Sequence, residues 1–114
     1  MSSVIHDISC SPARAASGAT FHVTVTYTYD SDERGHLTLA AELPDGPGEQ
    51  ITIEPASCQC EKGDRRSASF SLDISLPSMW KSGPHVVNVA ATLTEGDYLP
   101  KTHRRLAACR VEMA

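Results

Sequence analysis

Four cysteines, five histidines and a scatter of acidic side chains are the groups in this sequence that could do chemistry. Cys58 and Cys60 stand one residue apart, which puts two thiols on one face of an extended chain. The spacing is short for a zinc pair, and no second CxxC follows to complete four ligands. If His36 and His103 flank the same end of the fold, two thiols and one or two imidazoles would make a metal site. A redox pair is the related reading, and two loop thiols without function is the plainer one. Asp30-Ser31-Asp32 with Gly35 matches the opening of a calcium loop. Arg34 occupies its third ligand position and no Glu follows at the required spacing, which excludes an EF-hand. A calcium site shared by Asp30, Asp32, Glu95 and Asp97 would require two loops to meet, and Arg34 opposes it. There is no G-x-S-x-G, no H-E-x-x-H and no phosphate-binding glycine loop. The expectation is a protein that is not an enzyme and takes no cofactor.

The elements that must position these groups read as strands. Thr20 to Tyr29 places Phe21, Val23, Val25, Tyr27 and Tyr29 on odd positions, with Thr at every even position after His22. That alternation gives one packed and one wet face. Val4 to Cys10 reads as a first strand with Val4, Ile8 and Cys10 inward, ended by Ser11-Pro12. His36 to Leu43 places Leu37, Leu39, Ala41 and Leu43 inward, and Pro44-Asp45-Gly46-Pro47-Gly48 is the strongest turn signal. Gln50 to Glu54 is a short strand. Pro55 to Arg66 reads as a loop. Ser67 to Leu76, His85 to Leu93 and Thr102 to Met113 complete seven strands. His22 and His36 fall on outward positions and read as solvated. Leu106 interrupts the alternation of the last strand, which predicts a bulge there. Phe21, Val23, Val25, Leu37, Leu39, Phe70, Leu72, Ile74, Val87 and Val89 are the expected core. Trp80 is expected to cap it.

The chain has 114 residues, one domain (1–114) by length, with a net charge of -4 and a pI of about 5.6. An acidic balance argues against nucleic-acid or anionic-membrane binding, which need a basic field. No apolar run approaches the ~20 residues of a membrane span. Met1 to Asp7 has no basic start and no apolar core, so it is not a signal peptide. The expected compartment is the cytoplasm if Met1 is native, and secreted or cell-surface if a leader has been removed.

Seven strands, regular turns and no 3.6-residue period mean an all-β sandwich, with a small antiparallel barrel as the alternative. Pro12 followed by Gly18-Ala19-Thr20-Phe21-His22-Val23-Thr24-Val25 resembles the first two strands of bacterial immunoglobulin-like domains of the fibronectin type III kind. Phe70-Ser71-Leu72-Asp73-Ile74, Leu76-Pro77 and Gly83-Pro84-His85-Val86-Val87-Asn88-Val89 resemble their fifth and sixth strands. The resemblance implies a seven-stranded immunoglobulin-like sandwich and no activity. The chain departs from true immunoglobulin domains in lacking Cys on its second and sixth strands, and its one Trp lies in a crossover.

In such a sandwich the connections 30–35, 55–66 and 94–101 share one end. Loop clusters are the usual binding surfaces of sandwiches. Asp30, Asp32, Arg34, Arg65, Arg66, Asp97 and Tyr98 are therefore the candidate binding residues, for a protein or glycan partner. Solvated loops are the plain reading of the same charges. The expected function is a non-catalytic interaction module, acting through that loop end or a sheet face. One alternative is a metal-binding or redox accessory protein using Cys58 and Cys60. Another is a structural subunit of an assembly, a homo-oligomer that would pair by its sheet edges, with the flat face Thr24, Thr26, Thr28 suited to stacking. Strand direction also brings Cys10 and Cys109 close, on first and last strands running parallel. They read as two buried thiols or as a disulfide, and the missing signal peptide favours thiols.

Overall fold

The computed structural model describes residues 3–16, 20–42, 51, 53–73, 82–96 and 101–113. These residues form β1 (Val4–Ser11), β2 (Arg14–Ala15), β3 (Thr20–Tyr29), β4 (Gly35–Glu42), β5 (Ile53–Glu54), β6 (Ser57–Cys60), β7 (Gly63–Asp73), β8 (Gly83–Glu95) and β9 (Lys101–Met113). One sheet has the order β1-β3-β7-β5 and the other β2-β9-β8-β4-β6. Two separate sheets make a sandwich, not the alternative barrel.

The core follows from alternation. Phe21, Val23, Val25, Tyr27 and Tyr29 on β3 are buried, facing Leu37, Leu39, Val87, Val89, Ala91 and Leu93 from the second sheet. Phe70 and Leu72 join them from β7. Full burial of one such side chain stabilises by roughly 1.5–3 kcal/mol, and these side chains form one cluster. Nine of the ten expected core residues belong to it; Ile74 lies outside the described residues, as do Trp80 and Leu43.

The strand count differs from expectation. Ser57 to Cys60 is β6, paired with β4 from Gly35↔Cys60 to Thr38↔Ser57. Its exposure alternates, with Cys58 and Cys60 turned inward and Ser57 and Gln59 outward. The period is two, but polar residues fill the outward places, so the segment reads as a loop. Strand β7 also starts at Gly63, earlier than Ser67, so Arg65 and Arg66 lie on a strand. Strand β2 pairs parallel with β9, Arg14 with Glu112 and Ala15 with Met113. The chain therefore leaves the first sheet after Ser11 and joins the edge of the second.

Bulges fall elsewhere than predicted. The β8–β9 ladder runs unbroken from Gly83↔Met113 to Glu95↔Lys101, with Leu106 opposite Ala90. Leu106 keeps the alternation and simply points outward. The register slips on both sides of β3 instead. Ile5 pairs with Tyr27 and Asp7 with Thr26, which makes His6 the extra residue of β1. Tyr27 pairs with Arg66 and Tyr29 with Gly63, so Asp64 and Arg65 together oppose Thr28. Arg65 takes φ 50°, a left-handed conformation, at this bulge. The slip at His6 also reverses the start of β1. Ile5 is buried at 4% exposure, and Val4, expected inward, is 41% exposed.

Cys10 and Cys109 are joined as a disulfide, with Cα atoms 6.0 Å apart, where two buried thiols are the favoured sequence reading. The bridge links β1 in one sheet to β9 in the other. The side-by-side parallel contact of the chain's two ends is made by β2, after the crossing. The preference for thiols rests on the N-terminal sequence alone, which carries no information about this geometry.

Candidate interaction surfaces

Two regions offer themselves as surfaces. The first is the charged end. Gly96 N–H donates to the Arg34 carbonyl at 3.0 Å, which ties the β8–β9 connection to the β3–β4 connection. Gly96 has φ +77°, and a Cβ there would meet the Glu33 carboxylate. A Cβ at Gly35 would run into the Tyr29 hydroxyl and the Thr94 carbonyl, so glycine is what lets this turn close. Tyr29 donates to the Glu33 carbonyl at 2.5 Å. Ser3 Oγ donates to Glu95 Oε1 and accepts from the Asp30 N–H at 2.9 Å. His103 Nε2 lies 3.8 Å from Glu95 Oε2. Lys62 Nζ donates to Asp32 Oδ1 at 2.7 Å. That bond and the ammonium charge hold the Asp32 carboxyl below its ordinary range and lift Lys62 above its own.

The structure thus gathers Asp30, Asp32 and Arg34 with Lys62 and Glu95. Arg65 and Arg66 sit nearby on β7, where Arg66 reaches back to the Lys62 carbonyl at 3.4 Å. Asp97 and Tyr98 lie outside the described residues, so a calcium site that includes Asp97 does too. No group of three or more metal-ligating side chains forms among the described residues.

Cys58 and Cys60 do not converge with histidine. They face the core while His36, on the neighbouring β4, is exposed on the outer face. Burial pushes the Cys60 thiol up to about 11, helped by the charge of Cys58, and burial raises Cys58 as well. A metal ligand or redox thiol needs the thiolate, and this site disfavours it. Tyr27 and Tyr29, buried near Cys60, are raised mainly by burial too.

Thr28 organises the bulges from inside. It is 2% exposed, although its even position on β3 predicts a wet face. Its hydroxyl donates to Asp64 Oδ1 at 2.7 Å and accepts from the Arg65 N–H at 3.3 Å. His6 Nε2 lies 2.6 Å away. A hydroxyl has one proton; with it given to Asp64, His6 Nε2 must be the protonated nitrogen and donate. One threonine thus fills its whole bonding capacity between the extra residues of β1 and β7. The expected stacking face Thr24, Thr26, Thr28 is broken at this point.

The second region is the outer face of β4, β8 and β9. Ala40 on β4 pairs with Ala90 on β8, and Ala90 with Leu106 on β9, so the three form one row across the sheet. The next row is Glu42, Asn88 and Ala108. These rows line a shallow hollow of about 530 Å³ with Arg104 at its border. Leu106 stands in it 68% exposed, the more exposed of the two large apolar side chains exposed among the described residues. Glu42, Arg104 and Arg110 make no ion pair among the described residues. Sequence reading missed this face. Its signals are Ala at the outward positions 40, 90 and 108, and the outward Leu106.

The two sheets and their order define an immunoglobulin-like β-sandwich. The periplasmic chaperone SfaE, known from its crystal structure, is similar at a TM-score of 0.53 and 10% identity, over 94% of this chain and 56% of that one. The E. coli chaperone DraB gives a TM-score of 0.48 and 9% identity, over 94% of this chain and 54% of that one. This chain therefore spans about half the length of either. At 10% identity the likeness to SfaE shows the fold alone. No protein-family model and no curated protein matches the chain. Among the described residues no helix is long and apolar enough to cross a membrane.

Proposed function

We propose that this chain is a non-catalytic interaction module, one sandwich domain over residues 1–114, that binds a protein partner through the outer face of β4, β8 and β9. The observation that carries the reading is Leu106, 68% exposed in an alanine-lined hollow with charged side chains at its border. An apolar patch rimmed by charge is the form that contact surfaces take. The charged end is the weaker candidate, because Asp32, Glu95 and the Arg34 carbonyl already have partners within the chain. A glycan surface would present aromatic rings, and among the described residues the aromatic side chains, Phe21, Tyr27, Tyr29 and Phe70, are all buried. The structural neighbour SfaE is by name a chaperone, which agrees with a protein partner. The Cys10–Cys109 bridge agrees with an oxidising compartment.

Photo-crosslinking in the producing cell tests this. A photoreactive residue at position 106 should give adducts of discrete mass, and one at position 34 should not. Adducts from 34 alone, or from neither position, overturn the reading.

A further inference from the structure

The face bordered by Leu106 is complementary to itself. Resting on the reading that this face is the contact surface, we propose that its partner is a second copy of this chain, related by a two-fold axis running along β8. The row Leu106–Ala90–Ala40 supplies the geometry. Neighbouring strands lie about 4.8 Å apart, so β9 and β4 stand at equal distances on either side of β8. A two-fold axis along β8 lays β9 of each copy over β4 of the other. Leu106, the protruding side chain, then meets Ala40, the smallest one in the same row, twice over. The two Ala90 residues meet at the axis. Aligned packing of sheet faces is a standard arrangement, and its rotation of about 30° follows from sheet twist.

Charge obeys the same operator. Glu42 lies one row from Ala40 and is carried over Ala108 of the other copy. Arg110 is two residues on from Ala108 along β9 and shares its outward face, about 7 Å further along the strand. A guanidinium reaches a carboxylate across that gap. Each copy therefore offers an acid on β4 and a base on β9, set so that the two-fold axis matches them reciprocally. Both charges lack an ion-pair partner among the described residues of their own copy. An isologous contact requires this kind of self-matching. The outer face of the first sheet lacks it: its rows Ser11–His22–Ser71 and Ser9–Thr24–Ser69 contain no apolar side chain.

Sedimentation of the purified protein across roughly 1–500 µM, a span covering weak to firm association, should show monomer passing to dimer. Leu106→Asp alters an exposed side chain, so its thermal melt at a concentration where the parent is monomeric should match the parent, while dimerisation weakens roughly thirtyfold or more, as at a central contact residue. Glu42→Arg and Arg110→Glu should each weaken self-association. Mixed together they should form a heterodimer. One variant then carries a base at both positions and the other an acid at both, so each of the two reciprocal contacts joins a base to an acid. A parent that stays monomeric throughout overturns the proposal. So does a dimer untouched by Leu106→Asp, or a mixture no more associated than its parts. Failure here is separable from failure of the broader reading. Position 106 crosslinking only to a different protein removes the second copy and keeps the contact face, whereas no adduct at 106 removes both.

Discussion

The outer faces of the two sheets have the same alternation and opposite characters. On the first sheet every outward place across β1, β3 and β7 from Asp7–Thr26–Ser67 to Ser11–His22–Ser71 is polar. On the second, the central row is Ala40–Ala90–Leu106. The first sheet is also the irregular one, with a slip on each side of β3, while the β8–β9 ladder is unbroken. Hydroxyl side chains bind water at little cost and add no apolar area, so the first face is suited to solvent. Bulges twist and interrupt a surface, which unsuits it for flat contact. Alanine and a lone leucine on a regular ladder do the reverse. Backbone periodicity alone builds a sheet; the side chains at outward places decide whether its back is wet or docked.

The sharpest test of facing uses two neighbours on β3. Val25 is 0% exposed and Thr24, one residue before it, looks outward. Val25→Asp should abolish cooperative unfolding, because an unpaired buried charge costs several kcal/mol against a total of roughly 5–15. Thr24→Asp should shift stability by about 1 kcal/mol or less, in the range of surface changes with lower β propensity. Thermal melts of both variants decide it. A cooperative Val25→Asp protein would break the inner-face assignment.

The disulfide joins the two sheets across a sequence separation of 99 residues. In the loop-entropy model a closure of that length restricts the unfolded chain by about 4–5 kcal/mol. Cys10→Ala with Cys109→Ala should lower the denaturant midpoint accordingly and raise the m-value, because the unfolded chain without the bridge is more expanded. No change in midpoint between parent and double variant would mean that the bridge does not hold the sheets. A titration of two free thiols in the denatured parent, from Cys58 and Cys60 alone, checks that the bridge is formed.

Thr28→Val reaches the difference between the sheets directly. It keeps the shape and removes the hydroxyl that His6, Asp64 and the Arg65 N–H share. Leaving such groups without their partner costs about 1–3 kcal/mol. The loss should appear in chemical denaturation, and faster amide exchange should be confined to β1 and the start of β7. Uniform exchange changes across both sheets would show that the bulges are not pinned locally.

Most of the fold was legible in the sequence because a half-buried strand shows its facing at every second residue. Phe21, Val23, Val25, Phe70 and Leu72 state theirs plainly. Three things were not legible, each for a physical reason. Strand β6 has its period hidden by polar outward residues and by cysteines that read as chemistry. The slips at His6 and at Asp64–Arg65 depend on one buried hydroxyl, and threonine at position 28 looks like threonine at 24 or 26. The face around Leu106 needs three strands brought together in register, and no single segment shows it. The charged end was foreseeable as a cluster, since chain direction alone assembles Asp30, Asp32, Arg34 and Glu95. The partners were not: Asp32 meets Lys62 from the two-residue connection between β6 and β7, and Glu95 meets Ser3 from the start of the chain.

The smallest effect expected belongs to that charged end. Asp32 and Lys62 lie at the surface, their side chains 93% and 56% exposed, although 2.7 Å apart. The pair shifts Asp32 down first through the hydrogen bond from Lys62 and then through its charge. A carboxyl lowered on folding contributes stability that is present above its unfolded value and disappears as pH falls through its folded one. Lys62, raised on folding, contributes below its unfolded value and loses the contribution as pH rises through its folded one. Between those limits the contribution is flat, so neutral pH shows nothing of it. Water and salt screen an exposed pair, and long side chains lose freedom in forming it. Asp32→Asn should therefore leave the melting temperature at neutral pH within error of the parent. Its one visible trace should be a slightly shallower loss of stability below the usual carboxylate range, erased in high salt. A clear destabilisation at neutral pH and high salt would mean that this end holds the sandwich together more firmly than the disulfide-joined end suggests, and the contrast between a stable core and a merely solvated charged rim would fail.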